Sequence, residues 1–394
     1  MKIAICGCGI GGLAAAILAS RAGFDVTVFD QFDTPKSVGS GLVIQPVGLS
    51  VLKQLGAAEA ALAKGAKGFH MIGREARSGR LVLDVTYGAP GGENFGLGIH
   101  RASLFSALMD VAKAEGIAVT GQHRVISTRL DGQGRFVDFG NGKTLGPFDL
   151  VIDTMGVGST VSRLVAKPLP YGAIWGTVDW PENCKLRYDC LQQRYRRASH
   201  MIGVLPIGTI PGDVAPKAAL FWSMPRTQIK NWQHMPIDQW RRQATALWPD
   251  LAPFTDQITD HSQMIPAVYG HGNLRKPFGE RIVHIGDAAH RASPQLGQGA
   301  NMALLDAAAL IKCLELFSLE QALPKYVKAR RLHTNIYQAM SWAFTPMYQS
   351  DNRALPFLRD YVLSPLSKIP PMPTVLSSLV KGSMIDPMRK LPPS

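Results

Sequence analysis

Three glycines near the start of the chain have the spacing of a dinucleotide-binding turn. An apolar run over residues 2–6 predicts a short buried strand, and good helix formers over residues 13–22 predict a helix. Between them, glycines permit a tight turn, close approach of a pyrophosphate and close helix packing, while the helix N-terminus favours phosphate charge. The predicted turn residues are Gly7, Gly9, Ile10, Gly11 and Gly12.

An acidic residue closes the strand that is predicted next. Residues 25–29 have the apolar pattern of a buried strand, and Asp30 follows them directly. A carboxylate at this position can accept hydrogen bonds from ribose hydroxyls. Gln31, the next residue, is included in the predicted site. The context indicates nucleotide binding and leaves open which dinucleotide binds.

A second glycine-rich segment lies far along the chain. The stretch "RIVHIGDAAHRASPQLGQGANMALLDAAAL" predicts a buried strand ending at Gly286-Asp287, a loop, and a long helix from about Ala300. An acid at a strand end can bind polyol hydroxyls, and glycine at a helix N-terminus lets a planar anionic or carbonyl edge approach backbone amides. The predicted site residues here are Asp287, Pro294, Gly297, Gln298, Gly299, Ala300 and Asn301.

Composition narrows the class of protein. The chain has 394 residues and a net charge of +13, which is compatible with nucleic acid, an anionic membrane surface or an acidic ligand. The basic residues are scattered apart from short clusters such as Arg194, Arg196 and Arg197, and no nucleic-acid motif accompanies them, so a solvated basic face is favoured and no nucleic-acid partner is expected.

Cysteine usage and hydropathy indicate the compartment. Five cysteines without a signal peptide argue for a reducing, cytoplasmic location, and their spacing does not predict a metal site. No stretch approaches the roughly 20 uninterrupted apolar residues that span a bilayer. The +13 charge and a proline-rich, amphipathic tail leave peripheral contact with a membrane open as an accessory property.

The middle of the chain has a different pattern. Strand-like runs between residues 170 and 275 and a helix over 237–247 predict a second unit built on a mostly antiparallel sheet. Six of the seven tryptophans fall between residues 175 and 248. Such side chains can line an aromatic pocket or fill a core, and for any one of them the core is favoured.

Taken together, these segments resemble the FAD-dependent aromatic hydroxylases, the single-component flavoprotein monooxygenases with the fold of para-hydroxybenzoate hydroxylase. The first glycine turn with Asp30, the stretch His100-Arg101-x-x-Leu104, and the segment from Gly286 to Asn301 carry the likeness, which covers nearly the whole chain. The stretch "QSDNRALPFLRDYVLSPLSKIPPMP" is similar to the C-terminal tail of the ubiquinone-biosynthesis hydroxylases.

The resemblance implies an α/β fold with an α+β insert. A Rossmann-like FAD-binding domain would be accompanied by a mostly antiparallel substrate-domain sheet and by C-terminal helices. The predicted ranges are 1–70, 97–169 and 276–320 for the FAD-binding domain, 71–96 and 170–275 for the substrate domain, and 321–394 for the C-terminal helical region.

The same resemblance implies roles for the site residues. Gly9, Gly12 and Asp30 would hold the ADP part of FAD, and Arg101 would reach the pyrophosphate. Asp287 would bind the ribityl chain, and residues 297–301 would lie against the isoalloxazine ring, where Pro294 and Gly297 would shape the oxygen pocket. The backbone of Val125 would lie near the adenine. The remaining predicted cofactor residues are Gly41 and Gly156.

The implied chemistry is hydroxylation of an aromatic or N-heteroaromatic small molecule. FAD would be reduced by NADH or NADPH, O2 would be trapped as a flavin C4a-hydroperoxide, and one oxygen atom would reach an electron-rich carbon. A base with a pKa near 7 would assist a phenol-like substrate. The candidates are His70, Tyr195, His200 and Tyr269, and none is assigned as catalytic. A monomer or a homodimer is expected.

One position departs from the family pattern. The family carries an acid in a "GADG" stretch, where this chain has Asp153-Thr154-Met155-Gly156, so Met155 replaces the acid. Asp153 is not expected to replace it, because alternate residues of a strand lie about 6 to 7 Å apart. The change keeps two alternatives open: a flavin-dependent oxidase or reductase on this fold, and a hydroxylase reduced by external reduced flavin.

Overall fold

Twenty strands and twelve α-helices form the described part of the chain. The computed structural model describes residues 1–34, 39–88, 91–388 and 391. The strands are β1 (Lys2–Cys6), β2 (Asp25–Phe29), β3 (Gly41–Ile44), β4 (Ala66–Gly68), β5 (His70–Glu75), β6 (Leu81–Thr86), β7 (Gly96–His100), β8 (Ala118–Thr120), β9 (Val125–Asp131), β10 (Gly134–Phe139), β11 (Thr144–Phe148), β12 (Leu150–Asp153), β13 (Lys167–Asp179), β14 (Cys190–Arg196), β15 (His200–Gly208), β16 (Lys217–Pro225), β17 (Met264–Asn273), β18 (Phe278–Gly279), β19 (Ile282–His284) and β20 (His290–Arg291).

The helices alternate with these strands only in the first part of the chain. They are α1 (Ile10–Arg21), α2 (Pro46–Gln54), α3 (Ala58–Lys64), α4 (Arg101–Ala114), α5 (Ile229–His234), α6 (Ile237–Leu247), α7 (Ala252–Thr255), α8 (Gly299–Leu316), α9 (Leu319–Tyr348), α10 (Ala354–Leu358), α11 (Ser364–Leu366) and α12 (Met372–Lys381). Within residues 1–34, 39–88, 91–388 and 391, no helix is both long enough and apolar enough to cross a bilayer.

A mostly parallel sheet forms the first unit. Its strand order is β18-β19-β12-β1-β2-β8, and β1 pairs in parallel with β2 and β12. The register places Cys6 beside Asp153, and Asp153 beside His284. The turns that follow β1, β12 and β19 therefore leave the same edge of the sheet, the carboxyl edge at which open α/β folds bind ligands.

An eight-stranded sheet forms the second unit. Its order is β20-β17-β13-β16-β15-β14-β5-β6, and every pairing is antiparallel except the one between β14 and β5. One face packs against α5 and α6 through a core that contains Trp222, Trp232, Trp240 and Trp248. Burial of these rings explains most of the tryptophan cluster without a ligand.

The second glycine segment connects the two units. Residues 290–291 form β20 at the edge of the eight-stranded sheet, pairing with Gly272 and Asn273 of β17. The sequence predicts only a loop here, because two residues are too few to give a strand pattern. The backbone just after Asp287 is thus fixed by the eight-stranded sheet as well as by the first sheet.

The C-terminal helices close the far side of the eight-stranded sheet. The long helix α9 packs against α8, and the segment from α10 to α12 then runs across β6, where Ser364 Oγ donates to Leu81 O at 3.0 Å. Apolar packing of Val85, Tyr87 and Val380 holds α12 against the same strand.

The predicted α/β fold with its antiparallel insert and C-terminal helices is confirmed. The predicted domain boundaries stay a prediction. Their ranges also include residues 35–38, 89–90, 389–390 and 392–394, which lie outside the described residues.

Candidate active site

The first glycine loop is packed tightly against its own protein. Gly7 has a φ of +111°, and a Cβ there would lie 2.9 Å from the carbonyl carbon of Thr154. A Cβ on Gly12 would lie 2.0 Å from Gly7 O. Gly9 differs, because a Cβ there meets nothing within 4 Å. Open space at the N-terminus of α1, whose first amides precede the helical ladder, suits a bound phosphate.

Asp30 holds this loop from the neighbouring strand. One carboxylate oxygen accepts a hydrogen bond from Cys8 N at 2.8 Å, and the other accepts from Phe32 N at 2.9 Å. An ionised carboxylate has further lone pairs, and Asp30 is partly exposed, so it can also accept from a ligand hydroxyl. Gln31 is exposed beside it, whereas Val125 is buried and its carbonyl accepts from Thr160 Oγ1 at 3.0 Å.

The two glycine loops meet across helix α8. Ala303 Cβ lies 3.2 Å from the Cβ position of Gly11 and 3.1 Å from that of Gly286. Asp287 follows Gly286 and is exposed, and its Cβ lies 3.9 Å from the Cβ position of Gly156. The turns after β1, β12 and β19 thus come together at the carboxyl edge of the first sheet, and we call the space that they border the groove.

The second loop ends in a left-handed glycine and an open helix N-terminus. Residues Pro294–Leu296 form one 3-10 turn, and Gly297 follows with a φ of +60°. Helix α8 then begins at Gly299, where a Cβ would meet nothing within 4 Å. Ala300 lies in its first turn. The geometry leaves the first amides of α8 accessible from the groove.

Asn301 supports the second loop from behind. Its side chain is fully buried, its Oδ1 accepts from Gln45 N at 2.8 Å, and its Nδ2 donates to Gly297 O at 3.0 Å and to Val43 O at 3.2 Å. All of these bonds are to the protein backbone. The amide therefore fixes the loop relative to β3. At the start of β3, a Cβ on Gly41 would lie 2.4 Å from Ile207 Cγ2.

Arg101 borders the groove at the first turn of α4. Its amide donates to Ser40 O at 3.1 Å, and its side chain passes the Cβ position of Gly39 at 3.0 Å. The guanidinium is exposed. His100 caps the helix by accepting from Ala102 N at 3.1 Å, and burial together with the Arg101 charge lowers the pKa of this histidine.

A large apolar cavity extends from the groove. It has a volume of about 980 Å³ and runs from the second loop along the eight-stranded sheet to the C-terminal helices. On the sheet side, Trp175 packs against Phe221 with ring centroids 4.6 Å apart and the rings tilted by 31°, and its Nε1 donates to Tyr269 Oη at 2.8 Å. Burial raises the pKa of Tyr269 to about 12, so its hydroxyl keeps its proton near neutral pH.

Two of the four candidate bases lie at this cavity. Tyr195 and Tyr269 line it, and the described lining does not include His70 or His200. Tyr195 is buried, donates to Gln193 Oε1, and has a pKa raised well above its usual value by burial. His70 instead pairs with Asp84 at 2.5 Å. Neither tyrosine is a base near pH 7.

Comparison with known proteins identifies the family of the chain and the cofactor that it binds. A family model described as an FAD binding domain matches residues 1–335. The chain belongs to this FAD-binding family. The prediction of an FAD-dependent aromatic hydroxylase is confirmed, and FAD is the cofactor of this monooxygenase. The likeness of its tail to ubiquinone-biosynthesis hydroxylases stays a prediction.

Individual relatives of the flavoprotein span most of its length. A putative 2-heptyl-3-hydroxy-4(1H)-quinolone synthase of Rhodococcus erythropolis is 27% identical over 86% of this chain and 85% of that protein. A 6-hydroxynicotinate 3-monooxygenase of Pseudomonas fluorescens is 25% identical over 80% and 82%. The crystal structure of a 2-methyl-3-hydroxypyridine-5-carboxylic acid oxygenase mutant superposes with a TM-score of 0.79 at 22% identity, covering 99% of this chain and 98% of that chain.

Unpaired amide atoms at the groove fit an FAD ring. Among the described residues, Gln45 Oε1, Gln295 Nε2 and Gln298 Oε1 are buried without a hydrogen-bond partner. All three glutamines line the cavity beside the second loop. Buried polar atoms require partners, and a flavin ring edge offers both donors and acceptors. Sequence analysis missed Gln45 and Gln295, because an isolated glutamine carries no spacing signal.

The flavoprotein's turn at Met155 has no carboxylate facing the groove. Met155 packs against an apolar cluster that includes Phe29. Asp153 is fully buried, pairs with His284 Nδ1 at 2.7 Å and accepts from Ser159 Oγ at 2.6 Å. The Asp153 carboxylate therefore stabilises the turn through buried hydrogen bonds and does not face the groove. Val157, 68% exposed at the cavity, presents an apolar surface instead.

Proposed function

We propose that this monooxygenase adds one oxygen atom of O2 to a ring carbon of an aromatic or N-heteroaromatic molecule that carries an apolar chain. The observation that supports this proposal is the cavity, which continues from the second loop under the C-terminal helices. Its far part is lined by aliphatic side chains that include Leu363, Leu366 and Leu376, which favour a hydrocarbon chain. The overall balance is substrate, O2, NAD(P)H and a proton giving hydroxylated product, NAD(P)+ and water.

The residues that would hold FAD follow from the two loops. Gly9, the first amides of α1 and Asp30 would hold the ADP part, with the Val125 backbone near the adenine and Arg101 near the pyrophosphate. Asp287 and Gly156 would bind the ribityl chain. The amides of residues 297–300 and the unpaired glutamine side chains would bind the ring edge. When bound, FAD supplies the redox chemistry and the activation of O2.

The chain's own groups would orient the substrate and exclude water. Because Tyr269 Oη accepts from Trp175 Nε1 and keeps its proton, its O–H is free to donate to a carbonyl or phenolic oxygen of the substrate. Trp175 and Phe221 offer a flat apolar surface for the ring. The C-terminal helices cover the cavity and limit water entry, so that activated oxygen is retained until it reacts with the substrate.

The chain-length dependence of turnover tests the substrate class. We expect 4-quinolones with 2-alkyl chains from methyl to heptyl to be hydroxylated, with label from isotopic O2 in the product. Each buried CH2 contributes about 0.8 kcal/mol, so KM is expected to fall about fourfold per added carbon until the cavity is filled. A kcat/KM that does not depend on chain length would refute the proposed apolar chain.

A blocking variant provides the matched control. Ser367 lines the far part of the cavity and bonds to Ser364 O at 2.7 Å. The substitution Ser367→Trp is expected to raise KM for the heptyl compound at least tenfold and to leave the methyl compound unaffected. Equal effects on both compounds would indicate general disturbance rather than a blocked chain site.

A second reduction route is favoured by Met155. Without a carboxylate on this turn, NADH or NADPH would reduce the flavin slowly, and free reduced flavin would serve as donor. Anaerobic mixing with NADH, NADPH or reduced FMN, followed by flavin absorbance, separates the two routes. The variant Met155→Asp is expected to accelerate reduction by the nicotinamide donor, with Met155→Leu as control. Fast reduction of the unmodified protein by NADH or NADPH contradicts the free-flavin route.

A further inference from the structure

The C-terminal helices present a continuous series of exposed apolar side chains. Eight large apolar residues between positions 354 and 375 are more than one third exposed, and we call them the C-terminal apolar face: Phe357, Leu358, Tyr361, Val362, Leu366, Ile369, Met372 and Val375. Phe357 is 61% exposed although it stacks on Tyr361 at 4.6 Å. Clustered exposed apolar side chains mark interaction sites more often than isolated ones do, so the face is a candidate interaction site.

The cavity reaches this face. Leu366, Ile369 and Met372 are exposed to solvent and also line the cavity. The exposed face and the cavity lining therefore share these three side chains. An opening among them, which we call the mouth, would let an apolar molecule pass between hydrocarbon side chains from the face into the cavity.

Basic side chains surround the face. The guanidinium of Arg80 lies 4.0 Å from the ring centroid of Tyr361, and Lys368 is exposed within the face itself. The turn between β14 and β15 contributes the exposed Arg196 and Arg197, and the carbonyl of Arg197 accepts from Arg359 at 3.2 Å. This turn belongs to the basic cluster that the sequence shows without assigning it a role.

The acidic groups near the face are already engaged. Asp360 is buried and pairs with Arg359 at 2.6 Å. Asp351 accepts from Tyr171 at 2.7 Å, and the Glu75 carboxylate accepts from two backbone amides and from Ser78 Oγ at 2.8 Å. Asp351 and Glu75 keep their negative charge, but the exposed cations Arg80, Lys368, Arg196 and Arg197 outnumber them, so the exposed charge near the face is net positive.

We propose that the C-terminal apolar face docks on an anionic lipid surface and that apolar substrate passes from the bilayer directly into the cavity. The passage step rests on the proposed function, whereas the docking step does not. Apolar side chains inserted at the headgroup boundary and a basic rim against anionic lipid are the two components of interfacial binding. A second copy of the chain is a poorer occupant, because a twofold contact would bring the basic rims together.

Vesicle sedimentation of the FAD-loaded protein tests the docking. We expect binding to vesicles of phosphatidylcholine with phosphatidylglycerol, weaker binding to phosphatidylcholine alone, and a loss of affinity as salt rises. The double variant Phe357→Ser and Val362→Ser should lower the affinity at least tenfold. Each cation removed by Arg80→Gln or Lys368→Gln should lower it about fivefold and reduce the salt dependence. These four residues do not line the described cavity.

The matched control is Val214→Ser. Val214 is an exposed apolar residue like those of the C-terminal apolar face, and it is 92% exposed. It precedes β16 and lies at the end of the sheet opposite the turn of Arg196 and Arg197. Its vesicle affinity should equal that of the unmodified protein. Flavin absorbance and turnover of detergent-dispersed substrate should be unchanged in all variants, which separates docking from folding and from catalysis.

Three results would overturn the docking proposal. The first is that the protein remains in the supernatant with anionic vesicles, and the second is that the face variants bind as well as the unmodified protein. The third is that the same variants convert a dimer into monomers in light scattering and leave vesicle binding unchanged. Hydroxylation of dispersed substrate in the absence of vesicle binding would leave the proposed function standing and refute only the docking.

Discussion

The two glycine loops differ in what their glycines face. In the first loop, a Cβ on Gly7 or Gly12 would collide with backbone at 2.9 Å or 2.0 Å. In the second loop, the nearest atom to a Cβ on Gly297 is Gln45 Nε2 at 3.5 Å, and Gly299 has none within 4 Å. The first loop needs glycine mainly for its own packing, and the open positions of the second leave room for a ligand.

This difference predicts two separate effects of substitution, a loss of fold stability and a loss of FAD affinity. A substitution at a packed glycine should destabilise the fold before any cofactor is involved. A substitution at an open glycine without a positive φ, such as Gly299, should spare the apoprotein and weaken FAD binding. The four predictions below test this division, from the largest expected effect to the smallest.

Gly12→Ala should be the most damaging change. The added methyl would lie 2.0 Å from Gly7 O, so either α1 or β1 must move. Overpacking of this kind costs up to about 3 kcal/mol of unfolding free energy, and occasionally more. Denaturant unfolding of the apoprotein measures the loss. Gly11→Ala, whose methyl would meet a side-chain methyl at 3.2 Å, is the milder control.

Asn301→Leu should destabilise the second loop from behind. It leaves Gln45 N, Gly297 O and Val43 O without their side-chain partner, which costs about 2 kcal/mol in net effect. Both apoprotein stability and FAD affinity should fall. Asn335→Leu, at an exposed asparagine bonded to Asn273, should change neither. Unchanged stability of the Asn301 variant would contradict its positioning role.

Acid should weaken the attachment of α12 to α9, which His333 provides through Gly382 O. Burial and the Arg330 charge lower the pKa of His333 to about 4, while Asp306 acts in the opposite direction and His290 adds a like charge. The unfolded chain binds this proton near pH 6.5, so stability is complete above that pH and falls as pH decreases towards 4.

The expected loss for His333 is about 1.8 kcal/mol between pH 7 and pH 5, because its pKa is about 4 in the folded protein and near 6.5 in the unfolded chain. The imidazole bonds to Gly382 O at 3.0 Å next to α12. Denaturant titrations at several pH values measure it. The variant His333→Gln should show a shallower pH dependence over this range, and an unchanged slope would exclude this histidine as the cause.

Gly299→Ala should have the smallest effect and the most specific. Nothing in the protein opposes the methyl, so apoprotein stability should be unchanged. A ligand close to the first amides of α8 would lose contact, and we expect the FAD Kd to rise about tenfold, or about 1.4 kcal/mol. Fluorescence titration of the apoprotein with FAD measures it. A parallel drop in stability would mean that this glycine also serves packing.

Local sequence patterns were enough to predict several elements, including two strands next to the first loop and one helix of the second unit. The predicted strands over 2–6 and 25–29 and the helix over 237–247 coincide with β1, β2 and α6. Each has a dense, regular apolar pattern that local sequence determines. Strand β20 has only two residues, and its pairing with β17 depends on tertiary contact.

The sequence predicted where the residues of the candidate site lie better than it predicted what their side chains do. The structure brings the predicted loops together, yet Asn301, expected against the flavin ring, uses its amide to hold the backbone. A motif fixes where a residue lies and does not fix which way its side chain points. His70 and His200 lie away from the described cavity lining for the same reason: histidine is recognised by type, whereas distance to a cavity is a property of the fold.

The long separation between the two loops sets an order of events during synthesis. Gly7 to Gly12 leave the ribosome early, but Ala303, which touches both loops, and the helices over the cavity follow hundreds of residues later. The nascent chain can form the phosphate turn long before it can retain a ring. Loading with the vitamin-derived cofactor is therefore a late step that must wait until α8 has been made.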